Sequence, residues 1–413
     1  MSPLAVMMLL FLLLGTTLGG FSEIPLLIVF ITTSIYALCT LRDLPFAGRL
    51  TVFSRGAGSP DLLLMIWIFV LAGAFASSAR GMGAVDAAVN LTLGLLPPSA
   101  LLPGLFLSSC FISLAIGTSV GTIVALTPIA AGVALQAGMA VPLTVAAVVS
   151  GAFFGDNLSF ISDTTVASTQ SQGCKMSDKF RTNFFIALPA AILTILIYVH
   201  LSRGAGGVVV PGDVNLWKIM PYIVVLITAL LGLNVLFVLC IGILLSGLVG
   251  LICGDYTLAA WFAAICTGIG GMGELILISM MAGGLLAVIR RGGGITFLMR
   301  ALTKRVHTKR GAQLSIALLV SVCNLYTANN TVAILSVGSL AKDISERFGI
   351  EPRRAASLLD TFSCCVQGLI PYGAQILMAA GLSSLSPTAI VPHLCYPLLL
   401  GVSALCFIFF GRE

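Results

Sequence analysis

The residues of this chain best suited to chemistry stand in one run, Gly155-Asp156-Asn157-Leu158-Ser159-Phe160-Ile161-Ser162-Asp163-Thr164-Thr165, within otherwise apolar sequence. Asp156, Asn157, Ser159, Ser162, Asp163 and Thr164 offer hard oxygen donors, which suit a small hard cation by the logic that governs calcium and magnesium. So many polar residues together predict a broken helix whose freed carbonyls join the side chains as ligands. A carboxylate there also serves a proton. Burial favours the neutral acid and a bound cation favours the ionised form, so one group holds either a cation or a proton.

The two aspartates are expected to differ. Asp163 opens the second half-helix, where the positive end of the dipole favours an ionised carboxylate; Asp156 has no obvious helix N-terminus beside it and depends on the cation. Sodium is assigned to both. The plain alternative makes Asp163 an N-cap and leaves the ion to Asp156.

Two further polar interruptions fall inside apolar sequence: Gly117, Thr118, Ser119 and Thr122 in the first half, and Asn329, Asn330 and Thr331 in the second. Small residues of this kind also serve helix contacts, but their pairing favours a site, to which Asp360 and Gln367 are added. For Asp360 a structural hydrogen bond and a coupling role stand equal. Glu274, at a span end, reads as reaching water. No HExxH, GxSxG or Cys/His set is present, and the expectation is a non-enzyme without a cofactor. The 11 cysteines lack CxxC spacing, which argues against a metal or disulfide scaffold.

The elements that position these residues must lie in a bilayer. Of 413 residues, 58% are hydrophobic and 9% charged, far from the quarter or so of charged residues in soluble domains. Apolar runs long enough to cross the hydrocarbon layer recur along the chain. The net charge of +6 sits in short loops, where topology explains it better than nucleic acid does. Spans are expected near 4–20, 22–40, 62–79, 145–173, 183–201, 219–231, 234–253, 272–289, 355–383 and 389–410.

An offset of 210 residues aligns 62–173 with 272–383, pairing Arg80 with Arg290, Gly83 with Gly293 and Pro142 with Pro352. Residues 290–311 carry Arg290, Arg291, Arg300, Lys304, Arg305, Lys309 and Arg310, whereas 80–101 carry Arg80 alone. Cytoplasmic loops collect Lys and Arg, so the equivalents lie on opposite faces and the repeats are inverted. The expected fold is an all-α polytopic membrane protein: two N-terminal helices and a loop (1–61), repeat 1 (62–173), linking helices (174–271), repeat 2 (272–383) and a C-terminal helix (384–413). Each repeat holds a re-entrant hairpin, near 101–138 and 312–341, and a broken helix. Loops 41–61, 174–182 and 342–354 are placed in the cytoplasm together with both termini, in an inner membrane.

The stretches GTSVGTIVALTPIA (117–130) and GAFFGDNLSFISDTTVAST (151–169) resemble signatures of the NhaC family of sodium/proton antiporters. The resemblance implies inverted repeats with broken helices, and an ion site containing Asp156, Ser159, Ser162, Asp163 and Thr164. This chain departs from the family's pattern in its second half, with Asn329-Asn330-Thr331 where an acidic Gly-Asp motif is expected and Pro371-Tyr372-Gly373 where many members carry Pro-Trp-Asn. The expected function is sodium/proton antiport, with sodium- or proton-coupled carriage of a small organic acid or amino acid as the alternative. The bilayer and the transported solute are the expected partners. A homodimer is compatible with such an architecture, and nothing in the sequence marks an interface.

Overall fold

The computed structural model describes residues 2–17, 25–160, 162–202, 212, 215–294, 297 and 308–410. Its helices are α1 (Ser2–Thr17), α2 (Leu26–Thr40), α3 (Phe46–Ala57), α4 (Pro60–Gly81), α5 (Ala84–Leu95), α6 (Leu101–Ile116), α7 (Ser119–Ala137), α8 (Val141–Leu158), α9 (Asp163–Gln172), α10 (Met176–Ser202), α11 (Leu216–Leu230), α12 (Val235–Ile252), α13 (Leu258–Gly271), α14 (Gly273–Arg291), α15 (Lys309–Thr327), α16 (Asn330–Arg347), α17 (Pro352–Gln367), α18 (Ala374–Ser383) and α19 (Cys395–Phe410). No strand occurs among the described residues. Among the described residues, six helical segments are long and apolar enough to cross a membrane, or up to seven if a pair bent by 101° after Ser383 is one span.

At the centre lies α8, buried on nearly every side because small residues let its neighbour approach. A Cβ at Gly151 would strike the backbone carbonyl of Phe106, and one at Gly155 the backbone nitrogen of Leu114. Across this contact Ser109 Oγ donates to Val148 O at 2.6 Å and Ser113 Oγ to Ala152 O at 2.7 Å. Small residues four apart on facing helices give this close approach in apolar surroundings. The second half repeats the device, with Asn324 Nδ2 donating to Ser363 O at 2.7 Å.

Other landmarks match as well. Gly117 and Ala328 adopt left-handed φ values of 76° and 49° and close α6 and α15. Ser119 and Asn330 then open α7 and α16, and Asp163 and Ala374 open α9 and α18. These pairs are spaced by 211, whereas Gly83 and Gly293, both left-handed, keep 210. The spacing of the landmarks thus grows by one residue between Gly293 and Ala328. At a spacing of 211, Asp156 falls opposite Gln367.

Three expectations are corrected. Leu258–Gly271 forms α13, outside every span expected from the sequence; it crosses α4 where Gly73 and Gly268 face each other so closely that a Cβ on either strikes the other's carbonyl. The span expected at 183–201 begins at Met176, so Lys179 and Arg181 stand on α10 and not in a loop. The break after Asp156 is confined to 159–162, and Asp156 and Asn157 remain in the last turn of α8. Of the two hairpin tips, one falls at 117–118 and leaves Thr122 inside α7, and the other falls at 328–329.

Candidate functional site

The tips and breaks meet round a cavity of about 260 Å³ lined by Gly117, Thr118, Ser119, Asp156, Asp163, Thr164, Asn329, Asn330, Thr331, Gln367 and Gln375, with Leu64, Met65 and Ile68 of α4 along one wall. Ser119, Asp163, Asn330 and Ala374, the first residues of α7, α9, α16 and α18, all line it. Four helix N-termini thus converge on one space.

Asp156 is buried, 5% exposed. Its Oδ1 accepts from Ser162 Oγ at 2.5 Å, and its Oδ2 from Ser119 Oγ at 2.9 Å and from Asn330 Nδ2 at 3.4 Å. The hydrogen bonds hold the carboxylate, but no cationic side chain pairs with it among the described residues. An isolated buried charge is costly until a counter-ion or a proton neutralises it. Asp156 also touches the first residues of α7 and α16, so the expectation that it lies away from any helix N-terminus does not hold.

The other expected residues divide. Ser162 is the N-cap of α9, and its hydroxyl lies 3.0 Å from Thr164 Oγ1. Asp163 is the first helical residue, not the cap; it is exposed to the cavity and makes no hydrogen bond or ion pair among the described residues. Asn329 caps α16 by accepting from Val332 N at 3.0 Å. Gln367 donates to Ala328 O at 2.8 Å and to Gln375 Oε1 at 3.0 Å, and Gln375 donates to Ser119 Oγ at 3.0 Å. A polar chain therefore runs from the second break to the first hairpin.

Five expected residues do not line the cavity: Ser162, whose hydroxyl is spent on Asp156 Oδ1, and Ser159, Thr122, Asn157 and Asp360. Ser159 donates to Leu114 O at 3.1 Å, and Thr122 to Thr118 O at 3.1 Å. Asn157 faces the other way, donating to Asp360 Oδ2 at 3.0 Å. Asp360 lies behind the cavity wall, 2.5 Å from Lys179 Nζ, with both side chains fully buried. Asn183 Nδ2 adds a bond to Asp360 at 3.0 Å.

Sequence reasoning missed Lys179, Asn183, Thr165 and Gln375. The signal for the first two was their spacing of four on the first turns of an apolar helix, which places them on one face; Gln375 follows the Pro371-Tyr372-Gly373 break by two positions.

The sequence profile of the Na+/H+ antiporter family matches residues 3–202 and 213–412. The chain belongs to the Na+/H+ antiporter family. It is 25% identical over 391 residues to the Na(+)/H(+) antiporter NhaC of Bacillus subtilis, covering 86% of this chain and 84% of that protein. The same organism's Malate-2H(+)/Na(+)-lactate antiporter is 20% identical over 371 residues, covering 82% and 79%. The crystal structure of the Alcanivorax borkumensis YdaH transporter aligns with a TM-score of 0.43 at 14% identity, covering 89% of this chain and 88% of that one. As a member of this family, with its apolar helices, the chain is a multi-pass membrane protein.

Proposed function

We propose that this chain exchanges Na+ for H+ by alternating access, with Asp156 as the group that holds one or the other. The observation that carries this reading is the contrast between two buried carboxylates: Asp360 has the Lys179 ammonium, while Asp156 has hydrogen bonds and no cation. A mobile cation supplies the missing charge in one half of the cycle and a proton in the other. Ser119, Ser162, Thr164 and Asn330 bring further polar atoms to the same place. Asp163, which lines the same cavity, adds a second negative charge.

The matching landmarks of the two halves support repeats 62–173 and 272–383 that move against each other round this site. The cation count supports their inversion, the cytoplasmic placement of both termini and an inner-membrane location. Lys218 and Asp255, an ion pair at 2.5 Å, are then external, and Arg353 and Arg354 are cytoplasmic. Purified protein in vesicles with a trapped pH dye tests the function: a sodium gradient drives proton movement, and a sodium-insensitive dye signal counts against it.

The convergence of four helix N-termini favours a second reading, since such termini favour negative charge and unwound transporter helices direct them at substrate carboxylates. A cavity of about 260 Å³ is also roomier than one dehydrated sodium ion needs. A small organic carboxylate carried with the cation fits both features. Proton movement that appears only when an organic acid accompanies sodium would select this reading.

A further inference from the structure

The second buried carboxylate sits in a pocket of its own. Lys179 Nζ lies 2.5 Å from Asp360 Oδ2, 2.7 Å from the Asn157 carbonyl oxygen and 2.7 Å from Thr165 Oγ1. An ammonium has three protons to give, and three oxygens receive them. The ligand types are those of an alkali-cation site at a broken helix: a carboxylate, a hydroxyl and a carbonyl. The Asn157 carbonyl is among the last of α8, which the helix itself leaves unpaired.

The side chains that hold Asp360 also carry unpartnered acceptors. Asn157 and Asn183 each donate an amide hydrogen to Asp360 Oδ2 at 3.0 Å, and their Oδ1 atoms are buried without a partner among the described residues. Buried polar atoms are ordinarily satisfied, so two unpartnered amide oxygens on the side chains that hold Asp360 mark a place where polar groups exceed the partners the chain supplies.

We propose that this cage is a monovalent-cation site closed by the chain's own ammonium: Lys179 stands where a second sodium ion would bind, and limits the protein to one exchangeable cation. The proposal deepens the reading of Asp156 as the sodium site and rests on it for that limit. It also gives Asp360 its role, as the carboxylate that holds the tethered cation and not the transported one.

Equilibrium binding of radioactive sodium to the purified protein in lipid nanodiscs tests it, together with thermal unfolding in sodium chloride and in choline chloride. Lys179→Ala is expected to bind one sodium ion more per chain than the wild type and to be stabilised by sodium over choline. Lys179→Ala/Asp360→Asn is expected to lose that extra ion, and Lys179→Ala/Asp156→Asn to keep it. A folded Lys179→Ala protein with the wild-type sodium count overturns the proposal. So does one that sodium, at any concentration, fails to fold or to stabilise more than choline. A wild type that binds no sodium, beside a Lys179→Ala/Asp156→Asn protein that binds one, instead contradicts the Asp156 reading and leaves the cage standing.

Discussion

Lys179 Nζ and Asp360 Oδ2 lie 2.5 Å apart, and neither side chain is exposed to solvent. The pair links α10 to α17, and through the Asn157 carbonyl and Thr165 it reaches both sides of the α8–α9 break. Breaking a buried pair by removing one partner costs about 3–5 kcal/mol, because the other charge is left stranded. Removing both charges costs less.

Lys179→Met is therefore expected to lower the unfolding temperature strongly in sodium-free buffer, and Lys179→Met/Asp360→Asn to recover much of the loss. Thermal unfolding of the two single variants and the double variant checks this. Additive losses would show that the two charges are not coupled.

Asn330→Asp places a second carboxylate beside Asp156, in the position from which Asn330 Nδ2 now donates at 3.4 Å. Two adjacent carboxylates share a proton more readily than both ionise. The expected result is a folded protein whose exchange activity moves to higher pH, read as dye-reported proton movement across a series of external pH values. An unchanged profile would remove the second hairpin from the site.

Asp163→Asn takes one charge from an exposed residue in the first turn of α9, with no side-chain partner to lose among the described residues. Its dipole contribution is ~0.3–1 kcal/mol. The expected outcome is a modest loss of stability and a raised sodium KM with the maximal rate largely kept. Complete loss of exchange would make Asp163 a principal ligand.

Gly151→Ala puts a methyl group against the Phe106 carbonyl, where backbone cannot yield. Overpacking of this kind costs about 1–3 kcal/mol or more. Ser109→Ala, on the facing helix, loses a hydrogen bond to Val148 O worth ~1 kcal/mol. The glycine variant is expected to show the larger fall in unfolding temperature, and the reverse order would mean that α8 can shift away from α6.

The polar interruptions that mark the hairpin tips and the breaks were legible because they stand out in apolar sequence, and Asp156 was legible because a carboxylate in such a segment is rare and costly. Lys179 was not. Beside Lys175 and Arg181 it reads as one more loop cation, and only the early start of α10 at Met176 turns it inward. Helix α13 was missed because Leu258–Gly271 is short, ends in glycines and buries no residue. Arg80 and Arg290 keep the offset of 210, but Val141 and Pro352, the first residues of α8 and α17, stand 211 apart, so the Pro142–Pro352 match does not follow the spacing of the helices. Partners such as Gln375 with Ser119, 256 positions apart, have no local signal.

The central claim is that Asp156 carries the exchange, and proton movement driven by a sodium gradient in vesicles containing Asp156→Asn tests it most directly. The substitution keeps the size of the side chain and removes the charge that sodium and the proton share. The account predicts a folded protein with no sodium-driven dye response, while wild-type vesicles made in parallel respond. Robust sodium-driven proton movement in the Asp156→Asn vesicles would contradict it.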